Sequence, residues 1–239
     1  MKKGCRILLL VFVLGFLVSC NNNVRISGCP NGEIVEWLDA LMINDVKYQH
    51  DFPDSYDEQG SISIEKGEEL GKVTFMMDEH ACSDHRMENG DATYLPKGTS
   101  IYEVNGYPSS FIVAAEDKVY VVDENKEAKT AGELYPLDGL VKNIYIESTE
   151  DGSRLHTFSY KSKEQFIQAW YQLELDNPYG LHVTDKFDGE RIFLEIELNN
   201  GVSFRQLYWM DSNTFHNGAI GDDEIKKVIV SELEKMEEK

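Results

Sequence analysis

The chain has 239 residues, with 43 acidic side chains against 23 basic ones and a net charge of −20. That surplus excludes nucleic acid as a partner, because a phosphate backbone is bound by Lys and Arg that displace its counterions, and it excludes electrostatic adsorption to an anionic lipid surface. The length accommodates one large or two small domains with apolar cores of their own.

At the N-terminus Lys2, Lys3 and Arg6 precede an apolar run from Ile7 to Val18. The run is too short to span a bilayer, and its basic start fits a secretory signal. It closes on Leu17-Val18-Ser19-Cys20, which resembles the lipobox of a bacterial lipoprotein signal peptide, where a Cys thiolate is the nucleophile of lipid transfer. The resemblance implies a signal peptide over 1–19, a palmitate-type acyl anchor on Cys20, and a protein held at the cell membrane on its extracytoplasmic face. Membrane affinity then rests on the lipid alone. Residues 20–31 are polar and Gly/Pro-punctuated, the composition of a tether. Cys5 leaves with the signal and Cys20 carries lipid, so Cys29 and Cys82 remain. In an exported protein these are expected to form a disulfide, which across so long a loop contributes on the order of 4 kcal/mol.

A β-rich domain, a small barrel or sandwich, is expected over 32–135. Ile34, Trp37, Leu38 and Leu41 have helical spacing, and Asn44-Asp45 between apolar runs reads as a hairpin turn, so a short helical start precedes strand, turn and strand. Asp51 to Gly60 is acidic, contains Pro53 and reads as an exposed loop. Val73–Met77, Ala92–Leu95, Ser100–Val104, Ser110–Ala114 and Val119–Val122 are short β runs between Gly, Pro, Asn and Asp. The stretch Asn89-Gly90-Asp91-Ala92-Thr93-Tyr94-Leu95-Pro96-Lys97-Gly98-Thr99-Ser100-Ile101-Tyr102, followed by Gly106-Tyr107, resembles a pattern in uncharacterised lipoproteins of Bacillus-type Firmicutes. That family carries no assigned activity, so the resemblance implies location and fold only.

Glu124 to Gly139 is rich in Lys, Glu, Ala and Gly with Pro136, and reads as a boundary. An α+β domain of antiparallel hairpins and two helices is expected over 138–239, making the whole chain α+β. Asn143–Ser148 and Arg154–Tyr160 flank the turn signal Glu150-Asp151-Gly152. Ser162 and Gln165 have capping-box spacing, with Phe166, Ile167, Trp170 and Leu173 as the apolar stripe of a helix that stops before Asn177-Pro178. Arg191–Leu198 and Val202–Met210 form a hairpin. A three-residue loop with Gly201 in the left-handed region pairs Ile192, Leu194 and Ile196 with Tyr208, Gln206 and Phe204, and sets Glu195 opposite Arg205. A last helix begins near Asp222 with Ile225, Val228, Ile229 and Leu233 inward, and its tail from Glu234 to Lys239 is expected to fray.

Chemistry is sparsely signalled. His80, Cys82 and His85 are residue types that bind zinc or copper, but their spacing is not a standard one, and a Cys82 tied to Cys29 offers no thiolate. There is no G-x-S-x-G, S-x-x-K or H-E-x-x-H motif. Glu195 and Glu197 share a strand face as glycosidase carboxylates do, yet such pairs arise without function in so acidic a chain. Gly67-Glu68-Glu69-Leu70-Gly71 is acidic where a phosphate loop needs a Lys. Tyr94, Tyr102 and Tyr107 lie in or between the β runs and suit a binding face, and Trp209 falls on the hairpin face opposite the main apolar row. The sequence therefore reads as a non-enzymatic binding or scaffolding module without cofactor, its partner a cell-envelope protein, peptide or glycan. The alternative is a metal-binding or metal-dependent protein using His80, Cys82 and His85.

Overall fold

The computed structural model describes residues 36–50, 64–78 and 80–238. The signal at 1–19, Cys20, the tether, Cys29, Ile34 and the acidic loop at 51–60 lie outside the described residues. One compact unit takes in the described residues of 36–78 and 86–238, and the loop at 80–85 belongs to another unit and is described by itself.

The fold is mostly β. The first sheet has eight strands: β1 (Ala40–Ile43), β2 (Val46–Gln49), β3 (Lys66–Lys72), β4 (Phe75–Met76), β5 (Asp91–Ala92), β6 (Ser100–Val104), β7 (Ile112–Ala115) and β8 (Lys118–Asn125). Their order is β3-β6-β7-β8-β2-β1-β5-β4. The two ends, β3 and β4, are consecutive in the chain with only Val73 and Thr74 between them, so the sheet curls into a half-barrel. Asn44 and Asp45 turn β1 into β2 with φ of 53° and 62°, the double left-handed turn that matches strand twist. Residues 36–39 carry no helix, so the described part of the expected helical start is extended or irregular. Strand β3 was not anticipated. Its acidic, glycine-bracketed sequence has low strand propensity, and it is held by pairing to β6 with two register shifts.

The second sheet holds β9 (Val141–Glu147), β10 (Arg154–Thr157), β11 (Arg191–Leu198), β12 (Ser203–Trp209) and β13 (Thr214–Phe215), all antiparallel, in the order β10-β9-β11-β12-β13. The β11–β12 register is the expected one: Ile192 faces Tyr208, Leu194 faces Gln206, Ile196 faces Phe204 and Glu195 faces Arg205. Gly201, at φ 88°, closes the loop, with its N–H donating to the Leu198 carbonyl at 3.0 Å.

Four helices complete the described residues: α1 (Ala131–Leu134), α2 (Tyr160–Trp170), α3 (Pro178–Val183) and α4 (Asp223–Glu237). The cap of α2 is Ser159, whose hydroxyl accepts from the Ser162 N–H, not the expected Ser162 and Gln165 box. Asp222 caps α4 through the Ile225 N–H, and Ile225, Val228 and Ile229 are buried as expected, whereas Leu233 is half-buried.

The expected boundary at 124–139 does not separate two cores. Thr130 and Glu133 form a reciprocal capping box that folds α1, and Ala131, Leu134, Tyr135 and Leu137 join one apolar cluster with Leu41, Ile112 and Tyr120 of the first sheet and Leu194, Ile196 and Tyr208 of the second. Rings stitch the join. Tyr135 stacks on Phe204 at 5.4 Å, Phe111 meets both edge-on, and Tyr135 meets Trp170 at 6.1 Å. The Trp170 indole N–H donates to the carbonyls of Ala131 and Tyr135. A Lys/Glu/Gly-rich segment thus reads as a linker from composition although every apolar residue in its short helix is buried.

Candidate functional site

The aromatics expected to share a binding face each have their own partners. Tyr94 is 42% exposed and its hydroxyl donates to the Trp37 carbonyl. Tyr102, half-buried on β6, lies under the Lys66 ammonium at 5.2 Å. The Tyr107 hydroxyl accepts from the Asn200 N–H at 3.0 Å, tying the first sheet to the β11–β12 loop. Trp209 is buried and stacked on Phe187 at 4.6 Å, because the segment between α3 and β11 folds over its strand end.

In the 80–85 loop His80 is exposed, and Cys82 and His85 are half-buried. The His85 N–H donates to the Cys82 carbonyl in a turn. Among the described residues no group of three His, Cys, Asp or Glu side chains is arranged to hold a metal ion, so His80, Cys82 and His85 are not brought together as ligands.

Two polar clusters carry buried charge. On the face of the second sheet opposite its apolar row, Glu195 takes a two-pronged bond from Arg154 (both 2.6 Å), Arg205 reaches Glu147 (2.6 Å) and Lys142 reaches Glu197 (2.7 Å). The register partners Glu195 and Arg205 thus each bond a residue on another strand. Asn143 and Tyr145 also donate to Glu197. The Arg154 guanidinium caps the Tyr145 ring at 3.9 Å, and Arg205 caps Phe193 at 4.9 Å. Burial raises the Glu147 carboxyl above its ordinary range despite Arg205. Burial also opposes ionisation of Glu197, but the bonds from Lys142, Tyr145 and Asn143 prevail and lower it. Glu195 and Glu197, the pair weighed for glycosidase chemistry, are engaged by cations in this ladder.

The second cluster joins α4 to β10 and α2. His156 Nε2 lies 2.6 Å from Glu232 Oε2, and Lys235 and Ser159 donate to Glu232 Oε1 at 2.6 and 3.2 Å. Burial works against the Glu232 charge, but the bonds from Lys235, Ser162 and His156 and the Lys235 charge together lower it to about 2. A Ser–His–acid relay needs the hydroxyl on the imidazole nitrogen that the acid leaves open. Here Ser159 bonds the acid, and buried His156 Nδ1 has no hydrogen-bond partner among the described residues. The arrangement pins a helix and does not activate a nucleophile.

An open cleft of about 670 Å³ lies where Asp123 to Lys129, at and beyond the end of β8, face Asp176 to Tyr179 at the start of α3 and His216-Asn217 after β13. Leu134 and Leu175 contribute apolar surface to it. A smaller cavity of about 60 Å³ shares Asp123 and His216 and extends to Tyr135, Arg205 and Gln206. Backbone bonds fix the walls: Leu175 N–H to the Lys129 carbonyl (3.0 Å), and Asp176 N–H to the Gly218 carbonyl (2.9 Å). Gly218 has φ 97°, and a Cβ there would meet the Asp176 carbonyl oxygen at 2.1 Å, so this approach requires glycine. Asn177 caps α3 through the Tyr179 N–H at 2.9 Å with Pro178 in the first turn, leaving Tyr179 75% exposed at the rim. Asp123 accepts from the Lys47 ammonium at 2.6 Å. His216 Nδ1 accepts from the Leu207 N–H, and Asn217 is held by Gln206 and Ala219.

None of these cleft residues is marked by a sequence motif, because its walls come from three separated segments. One signal was present. Asn-Pro marks a helix cap and first turn as well as a stop, and read that way it places Tyr179 at the exposed start of α3. Comparison of the chain with protein-family models, with curated proteins and with solved structures gives no match.

Proposed function

We propose that this chain is a lipoprotein anchored through Cys20 on the extracytoplasmic face of the cell membrane, an α+β protein that acts as a non-enzymatic binding or scaffolding module. Its ligand enters the cleft between Asp123–Lys129 and Asn177–Tyr179. The observation that carries this reading is a contrast in exposure: the buried carboxylates of Glu147, Glu195, Glu197 and Glu232 are each bonded to a cation, while the cleft sets the exposed side chains of Glu124, Lys126, Lys129, Asp176 and Tyr179 around an open volume. A concave site with a few convergent polar groups is the ordinary form of a ligand pocket. The lipobox and the Asn89–Tyr102 pattern support the location, and the resemblance to Bacillus-type lipoproteins supports the anchor. Cys29 and Cys82, the two cysteines left over by the signal and the lipid anchor, pair in this reading, and the native protein should resist alkylation until reduced.

Two measurements test the reading. Cys20→Ala should abolish labelling by radioactive palmitate and release the protein from membranes, and unchanged membrane retention refutes the anchor. A photo-crosslinking amino acid in place of exposed Lys126 should capture one discrete species in intact cells, with none captured from Glu237 on α4. Equal or absent capture at both positions refutes the cleft as the binding site.

A further inference from the structure

We infer that the cleft takes a neutral, polyhydroxylated ligand, a short glycan, with the Tyr179 ring as its stacking platform. The inference rests on the binding reading above and names the ligand class. Three features of the walls select it.

The first is the balance of donors and acceptors. Asn125 and Asn177 bring amides, Glu124 and Asp176 carboxylates, and Lys126 and Lys129 ammonium groups, while Asp123 is bonded to Lys47 and buried Asn217 to Gln206 and Ala219. A hydroxyl group both donates and accepts, so a polyol satisfies a wall that carries both kinds of group. Phosphate is anionic, and it meets three carboxylates in a chain already at −20. A simple cation meets two lysines. Mixed charge of this kind favours a ligand with none.

The second is the ring. The Asn177 cap and Pro178 fix the Tyr179 backbone at the rim, so the freedom lost when the ring is covered is that of its side chain alone. Its neighbour one turn along, Val183, is 62% exposed, while Leu181 between them is buried. An exposed aromatic face beside polar groups suits the C–H face of a sugar ring, which is apolar although its edge is hydroxylated. Leu134, Leu175, Ala128 and Pro178 extend the apolar part of the lining.

The third is the size of the site. The volume of about 670 Å³ falls within the roughly 300–1,000 Å³ usual for small-ligand sites.

The test uses the full chain in zwitterionic, non-glycosidic micelles, titrated calorimetrically with the N-acetylglucosamine tetramer, with inorganic phosphate and with an oligolysine peptide as separate probes. The tetramer should bind saturably and the other two should not. Tyr179→Ala should weaken binding about 10-fold and Tyr179→Phe should retain it, with the urea midpoint of both variants equal to that of the native chain. No saturation by the tetramer, or native affinity in Tyr179→Ala, overturns the inference. If capture at position 126 persists in that case, the ligand belongs to another class and the binding reading stands. If capture is lost as well, both fall.

Discussion

The curled sheet and the five-stranded sheet bury the second face of their strands by different means. Strand β7, Ile112-Val113-Ala114-Ala115, is fully buried on both faces with apolar side chains alone. Strand β11 is buried almost as completely, yet Glu195 and Glu197 alternate with Leu194, Ile196 and Leu198, and their face is closed by Arg154, Arg205 and Lys142 laid over carboxylates and rings. Strict alternation of apolar and acidic residues usually marks a strand with one face in water. Here it marks a strand whose second face is an ionic layer. Such a layer adds little net stability over apolar residues of the same shape, because desolvation offsets attraction, but removing one partner leaves a buried charge. The two sheets should therefore respond differently to deletion.

The sharpest way to break the distinction is at the place where the sheets meet. Trp170 is fully buried and donates to two carbonyls, so Trp170→Ala is expected to cost about 3–5 kcal/mol from cavity and lost contacts. The amides of β7 and β11 should lose exchange protection together, in one urea transition. Separate transitions would mean two cores. Next in size is Glu195→Gln, which strands the Arg154 guanidinium, 20% exposed. A cost of about 2–4 kcal/mol is expected, and Glu195→Met combined with Arg154→Met should recover most of it. A double variant as unstable as the single one would show the ladder to be stabilising in its own right.

How much of this was legible in sequence follows from how local each signal is. The β11–β12 register was readable because Asn199-Asn200-Gly201 fixes the turn and the apolar residues recur every second position on both strands. The buried face of α4 was readable because a cap and a 3.6-residue stripe are both local. The ionic layer was not. Glu195 and Arg205 face each other as read, yet each bonds a residue on a strand that only tertiary pairing brings near, Arg154 and Glu147. Trp209 was misread for the same reason: Phe187, which covers it, comes from an irregular segment. Apart from the Asn-Pro signal the cleft was not readable, since β8, α3 and the turn at His216 are far apart in sequence and are brought near by tertiary bridges such as Thr130–Glu174 and Leu175–Ala219.

Acid titration sharpens the comparison at a smaller scale. The Glu232 carboxyl is lowered to about 2 from the usual 4.5. Its contribution is complete above the unfolded value and is lost as pH falls from about 4.5 towards 2, a loss of about 2–3 kcal/mol. Glu147 has the opposite sign. Its carboxyl is raised by burial, so its contribution favours the folded state at acid pH and is lost as pH rises through the raised value. Urea midpoints measured between pH 2.5 and 6 should fall on the acid side in the native chain and lose most of that slope in Glu232→Gln. An unchanged slope in the variant would place the acid sensitivity elsewhere.

The smallest effect is expected from one ion pair of the curled sheet, Lys47 with Asp123. Lys47 and Asp123 meet at 2.6 Å, but their side chains are 33% and 32% exposed, and such pairs contribute little because water screens both ends and two side chains must be held still. Lys47→Met should cost about 0.5 kcal/mol and lower Tm by about 1–2 °C, several-fold less than Glu195→Gln. The same substitution leaves the Asp123 carboxylate without this ammonium partner on the wall of the cleft. A neutral ligand should then bind within about twofold of its native affinity, whereas a charged ligand beside an altered carboxylate would shift by about 1 kcal/mol or more at low salt. A stability loss above about 2 kcal/mol would show that the curled sheet also depends on ionic pairing, and the difference between the two sheets would then lie only in where the charges sit.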